Sequence, residues 1–146
     1  MVTHLKIQQA PFENAVDIVS MIRRIVFQEE QNIPADVEFD GQDAQSQHLL
    51  AYLNDLPVGT VRMRAINAQT AKIERLAVLP EARGQGIGQK LMSTALNLLE
   101  KEGYSEVIIH AQEYIKNLHE KLGFQPEGNR FDEAGISHIK MVKKLK

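Results

Sequence analysis

The run Arg83-Gly84-Gln85-Gly86-Ile87-Gly88 sets three glycines at alternate positions behind an arginine, where the following pattern turns helical. The first backbone N–H groups of a helix have no intrahelical partner, and the helix dipole gathers partial positive charge there, so an anion is favoured. Glycines at 84, 86 and 88 remove the Cβ atoms that would hold a phosphate off the backbone. Arg83 adds a permanent cation with a planar fork of donors. The preceding run Leu76-Ala77-Val78-Leu79 reads as a strand that Pro80 stops, delivering the turn to a sheet edge. The chemistry indicated is the binding of a phosphate or pyrophosphate. A glycine-rich turn with no ligand is the plain alternative, and the order strand, proline, arginine, glycines, helix argues against it.

Two other glycine motifs do not fit. A dinucleotide fingerprint requires a glycine where Gln89 stands, followed by a β-α-β unit with a ribose-binding acid, and a nucleoside triphosphate loop ends in Gly-Lys-Ser/Thr. At 146 residues, 43% apolar and 25% charged, the chain reads as one globular domain spanning 1–146. A net charge of -2 argues against a nucleic-acid partner, and Lys143 and Lys144 read as a solvated strand end. With no cysteine, disulfides, thiolate metal sites and a cysteine nucleophile are excluded. His4 and His138 show no spacing with acids that suggests a metal, and His110 reads as a strand residue. Met1 to Ala10 has no apolar core of signal-peptide length, and no apolar run reaches the roughly 18 residues of a membrane span. The expectation is a cytoplasmic protein with no membrane partner.

Apolar periodicity supplies the elements that must hold the turn. Leu5 and Ile7 mark a first strand closed by Pro11. Val16, Val19, Ile22 and Val26 mark a helix from 12 to about 32. Pro34 and a polar run through Gln47 predict a loop. Residues 48–53 and 56–66 form a hairpin around Asn54-Asp55, and a second hairpin across 67–71 leads to a fourth strand at 72–79. Ile87, Leu91, Ala95 and Leu98 share one face of a helix from about 86 to 102, with Gly103 as its stop. A buried strand around 107–109, a short helix at 114–122 ended by Gly123, and strands at 124–131 and 136–145 around a turn at 132–135 complete the chain. The order β-α-β-β-β-α-β-α-β-β is an α/β mixture with antiparallel central hairpins.

Arg83-x-x-Gly86-x-Gly88 after the strand resembles the acyl-CoA motif of the GNAT superfamily of N-acetyltransferases. His119-Glu120-Lys121-Leu122-Gly123-Phe124 resembles its second signature, in which a tyrosine normally stands first. The order of elements agrees over nearly the whole chain. Arg23-x-x-Val26-Phe27-x-x-Glu30-Gln31, Asp40-Gly41-x-Asp43 with His48, and Gly135-Ile136-x-His138 are similar to segments of the ElaA branch of that family. The resemblance implies an α+β fold with a mixed, mainly antiparallel sheet, helices on both faces, and a splay between the fourth and fifth strands. It implies acetyl-CoA as co-substrate and no metal. The pyrophosphate would lie on Arg83, Gly84, Gln85, Gly86, Ile87 and Gly88, and the pantetheine arm along Leu76, Ala77 and Val78. Asn117 is a further candidate for the pantetheine, with a solvated helix position as its alternative. Many relatives form dimers, so a homodimer is among the expectations.

The implied reaction is direct attack of a neutral primary amine on the thioester, with a proton delivered to the CoA thiolate. His119 occupies the position of the family's tyrosine acid. A histidinium of ordinary pKa, about 6.5, protonates a thiolate near 8.5 downhill, although only about a quarter of it carries the proton at pH 7. Packing against the cofactor, with water as the acid, is the alternative role. On the first reading His119→Phe lowers turnover and leaves acetyl-CoA affinity nearly unchanged. Glu74 is the candidate base, with Glu30 and His48 as rivals, and each also has an ordinary reading as a surface or hydrogen-bonding residue. The acidic loop, with Asp36, Glu38, Asp40 and Asp43 after Glu30, would attract a cationic amine, small or peptidic, unless it is merely solvated. The alternative function is a non-catalytic acyl-CoA-binding regulatory module in which His119 marks loss of the acid.

Overall fold

The computed structural model describes residues 4–145. Residues 1–3 and 146, part of the expected 1–146 domain and, at the start, of the stretch read for a signal peptide, lie outside the described residues. One sheet runs through the molecule, formed by β1 (Leu5–Ala10), β2 (Gln47–Leu53), β3 (Leu56–Ala65), β4 (Thr70–Val78), β5 (Glu106–Gln112), β6 (Gln125–Pro126), β7 (Phe131–Glu133) and β8 (Ile136–Lys144). Their order is β1-β2-β3-β4-β5-β8-β6, and β7 pairs with β8. Every pairing is antiparallel except β4 with β5. The described residues form four α-helices besides: α1 (Phe12–Arg23), α2 (Ala35–Glu38), α3 (Ile87–Lys101) and α4 (Lys116–Lys121).

The period-2 alternation of the strands divides the core between the two faces. Leu49 and Ala51 pack with Leu91, Met92, Ala95 and Leu99 of α3, while Leu50, between them, packs with Val19 and Ile22 of α1 on the other face. The mixed, mainly antiparallel sheet with helices on both faces is thus present. The splay is present as well. β4 and β5 pair only from Thr70–Glu106 to Lys72–Ile108, and beyond this point the β5-facing side of β4 has no strand partner. On its β3 side, Thr60 pairs with Ala77 and Arg62 with Glu74, so Arg75 and Leu76 together oppose Val61. Arg75 takes φ 59° in this bulge, which falls just past the last residue of β4 that pairs with β5.

Three segments differ from expectation. The first helix is α-helical only to Arg23 and continues as a wider π-type coil over Arg24–Glu30, the kind of irregularity that often borders functional sites. The acidic loop contains α2, which follows Pro34 and is fixed by side chains described below. The expected strand at 124–131 is divided into β6 and β7, because Pro126 has no N–H to give and Gly128 turns at φ 81°. The final turn is accordingly tighter than 132–135. Ala134 and Gly135 both take positive φ, 55° and 77°, as a two-residue hairpin loop requires, and Asp132 lies in β7.

Candidate functional site: a cavity between splayed strands

A cavity of about 640 Å³ runs from the glycine turn through the gap between β4 and β5 to the β7–β8 hairpin. At one end Gly86, at φ 78°, precedes the first turn of α3, and Gly84 turns at φ 80°. A Cβ on either glycine would meet nothing within 4 Å, so space is open in front of the free N–H groups. The first turn of α3 has no acidic residue to oppose an anion. Of the residues expected at the cofactor, Leu76, Ala77, Val78, Arg83, Gly84, Gly86, Ile87 and Gly88 line the cavity. Gln85 and Asn117 do not: Gln85 donates to the Ala82 carbonyl at 3.3 Å, and Asn117 is exposed on α4, which turns Leu118 inward instead.

Arg83 has a partner in the structure. Its two terminal nitrogens donate to the Glu30 carboxylate at 2.6 and 2.7 Å, and its Nε donates to the Val78 carbonyl at 3.0 Å. The hydrogen bond from Arg83 lowers the Glu30 pKa, so Glu30 is a weaker base than an ordinary carboxylate, and it stands outside the cavity lining. Glu30 is thus the counter-ion of Arg83, a pairing that works against the role of base expected for it.

His119 lies against the cavity at 4% exposure, edge-on to Phe124 with ring centroids 6.0 Å apart. Its Nδ1 is buried without a hydrogen-bond partner. Burial alone lowers its pKa to about 4, so the ring is neutral at pH 7. This desolvation works against the histidinium expected as the acid.

Glu74 and His48 belong to a polar network centred on the buried Arg23 and Arg62. Arg62, 1% exposed, donates to Asp40 at 2.8 and 2.9 Å, to Asp43 at 2.9 Å and to Glu74 at 2.5 and 2.9 Å. Arg23 donates to Glu38 at 2.5 Å and Asp43 at 2.6 Å. Burial works to raise the Glu74 pKa, but Arg62, Arg64 and Lys72 outweigh it and hold the carboxylate below its usual range. Glu74 lines the cavity, yet with three cations on it the group is a poor proton acceptor. His48 stands outside the cavity lining, packed on Phe12 at 4.9 Å, with Nε2–H donated to the Asp43 carbonyl at 2.9 Å. Burial lowers its pKa, and the ring supports the network from outside the cavity rather than standing in it as the expected base would. The acidic loop is corrected too. Glu38 and Asp43 are buried and Asp40 is exposed, yet none of the three is free, because Arg23, Arg62 and Arg75 pair with them.

The cavity is also lined by residues that sequence reasoning did not place there: Gln31, His110, Gln112, Tyr114, Glu133 and His138. Gln31 and Gln112 bond to each other across the cavity at 2.8 Å. His110 and Gln112 alternate with the buried Ile109 and Ala111, so β5 turns both polar residues to the α1 face. The available signal was the Gly135-Ile136-x-His138 segment, in which a hairpin turn delivers a histidine to a strand beside β5.

A family model of the acetyltransferase (GNAT) domain matches residues 25–145. The chain belongs to this family. It is 37% identical over 127 residues to the uncharacterised protein YyaT of Bacillus subtilis, covering 85% of each. It is 30% identical over 128 residues to protein ElaA of Escherichia coli, covering 85% of this chain and 84% of that one. The crystal structure of Escherichia coli ElaA superposes with a TM-score of 0.84 over 94% of this chain and 99% of that one, at 27% identity. That of an acyl-CoA N-acyltransferase from Pseudomonas aeruginosa gives 0.85 over 96% and 99%, at 26% identity. The GNAT assignment and its ElaA-like branch follow, and the protein is an acetyl-CoA-dependent acyltransferase.

Proposed function

We propose that the chain works as one domain that transfers the acetyl group of acetyl-CoA to a primary amine by direct attack on the thioester. The observation that carries this reading is the strand gap: past Lys72, β4 leaves its β5-facing backbone groups without a strand partner, and they border the cavity that starts at the glycine turn. The pyrophosphate is bound by the N–H groups opening α3 and by Arg83. The pantetheine amides take the place of the missing strand along Leu76, Ala77 and Val78. Backbone donors there stabilise the oxyanion that forms on the thioester carbonyl. Acetyl-CoA supplies the activated acyl group, and no covalent enzyme intermediate is needed. The proton lost by the attacking nitrogen goes to the thiolate directly or through water, since His119 carries none at pH 7. The neutrality of His119 is also the one observation that favours a non-catalytic acyl-CoA-binding module. Free thiol release from acetyl-CoA, followed across a panel of primary amines with mass detection of the product, separates the two readings. Amine-dependent release with one acetylated product is expected. Binding of acetyl-CoA with no release from any amine would assign the module instead.

A further inference from the structure

Charge at the acceptor end is distributed unevenly. Glu38, Asp40 and Glu74 each hold an arginine. Among the described residues Glu133 is the cavity-lining carboxylate paired with no arginine or lysine; its partners within 4 Å are His110 and His138. His110 Nδ1–H donates to Glu133 Oε1 at 3.1 Å, which orients the carboxylate and leaves Oε2 facing His138.

His138 is 5% exposed, and its ring stacks on Phe131 at 5.9 Å. Nδ1 lies 2.7 Å from the Ile136 carbonyl oxygen. A carbonyl only accepts, so Nδ1 carries the hydrogen, and Nε2 of the neutral ring presents a lone pair. Nε2 stands 3.8 Å from Glu133 Oε2. With the ring neutral, two acceptors face each other across this distance at the wall of the cavity. An ammonium nitrogen set on the cavity side of the line between them reaches both at about 2.8–2.9 Å.

We infer that Glu133 and His138 form the acceptor subsite: Glu133 draws in a primary ammonium group, and His138 Nε2 removes the proton that frees the amine to attack. This rests on the acetyl-transfer reading above. The ammonium N–H bond breaks to His138, leaving an imidazolium beside the Glu133 carboxylate. The nitrogen lone pair then forms the C–N bond to the acetyl carbon, the carbonyl π electrons moving onto oxygen; collapse of that oxyanion breaks the C–S bond, and a second nitrogen proton goes to the departing thiolate. Imidazolium returns its proton to solvent, so one ammonium and one thioester give one amide, one thiol and one proton. His110 is a positioning residue that acts through Glu133.

The test is steady-state thiol release by the wild type, His138→Ala and Glu133→Gln with the most active amine, beside acetyl-CoA titrations of each. His138→Ala is expected to lower kcat by about 100-fold at neutral pH with acetyl-CoA affinity retained. Its rate should then climb with pH by about tenfold per unit, as bulk hydroxide deprotonates the amine instead. Glu133 from β7 faces His138, and His110 from β5, with Lys72 of β4 beside it, faces Glu133; none of them is altered in that variant. Glu133→Gln is expected to raise the amine KM about tenfold with a smaller change in kcat. A His138→Ala rate within twofold of wild type, or a loss equal at every pH, would overturn the inference. If wild type itself releases no thiol with any amine, it is the acetyl-transfer reading that fails.

Discussion

The two ends of the cavity are built from different materials. The cofactor end is mainly backbone: free N–H groups at the start of α3, glycines that leave them uncovered, and an unpaired β4 edge, all within residues 73–88. The acceptor end proposed above is lined mainly by side chains from β4, β5 and the β7–β8 hairpin, backed by a network drawn from α1, the loop after it, β2 and β3. Backbone donors are fixed by the fold and need no counter-charge until an anion arrives. Ionised side chains placed in an interior need partners at once, because desolvation is costly. The acceptor end therefore contains a framework of arginines and carboxylates that neutralise one another, and this framework, not the cofactor turn, is where substitutions should damage the fold.

Arg62→Leu should show the largest effect. It leaves Asp40, Asp43 and Glu74 without their shared cation, and breaking a buried ion pair in this way costs about 3–5 kcal/mol. Arg83→Ala at the cofactor end removes a surface pair with Glu30 and should cost less than about 1 kcal/mol. Urea unfolding of both variants measures the difference. Equal losses would mean that the two ends do not differ in the way described.

An acid titration sharpens the same contrast within the cavity wall. The folded-state pKa of His119, about 4, lies below its unfolded value near 6.5, so between these values the unfolded chain binds the extra proton. Stability from the neutral ring is fully present above pH 6.5 and is lost as pH falls towards 4. His119→Phe should abolish that component, making the variant's loss between pH 7 and pH 4 smaller by about 3 kcal/mol. Glu74 and Asp43, whose pKa values are depressed, add their own loss at lower pH in both proteins. Turnover of His119→Phe at pH 7 should stay within about threefold of wild type, since a ring without a proton donates none. A large fall in turnover would return His119 to the chemistry.

What was legible in the sequence follows the same division. The glycine turn, the α3 stripe and the central hairpins depend on neighbours within one or two turns of chain, and their periodicity states them directly. The splay could be expected only through the resemblance, because nothing local in Glu106–Gln112 says that its pairing with β4 stops at Ile108. At the acceptor end the sequence shows carboxylates and arginines but not who pairs with whom. Asp43 reads as a solvated loop acid until Arg23, 20 residues back, and Arg62, 19 residues on, are found on one of its oxygens. Glu74 and His48 were attractive bases for the same reason, since a pKa is set by neighbours that only the fold supplies. His138 was visible as part of a segment but not as a site, because its significance lies in Glu133 across a tight turn and His110 on another strand.

The smallest effect concerns the one place where the cofactor end does hold a paired side chain. Glu30 occupies both terminal nitrogens of Arg83, the fork that a pyrophosphate would otherwise use, and it puts a negative charge near the incoming anion. The pair is exposed on both sides, so its strength is modest and screened by salt. Glu30→Gln removes the competing charge and keeps the shape, so acetyl-CoA should bind a few-fold tighter, by about 1 kcal/mol at most, with the gain shrinking as salt is raised. Isothermal titration at two ionic strengths measures it. Weaker binding would mean that Glu30 aims Arg83 at the phosphate rather than competing for it, and the cofactor end would then share the acceptor end's dependence on paired side chains.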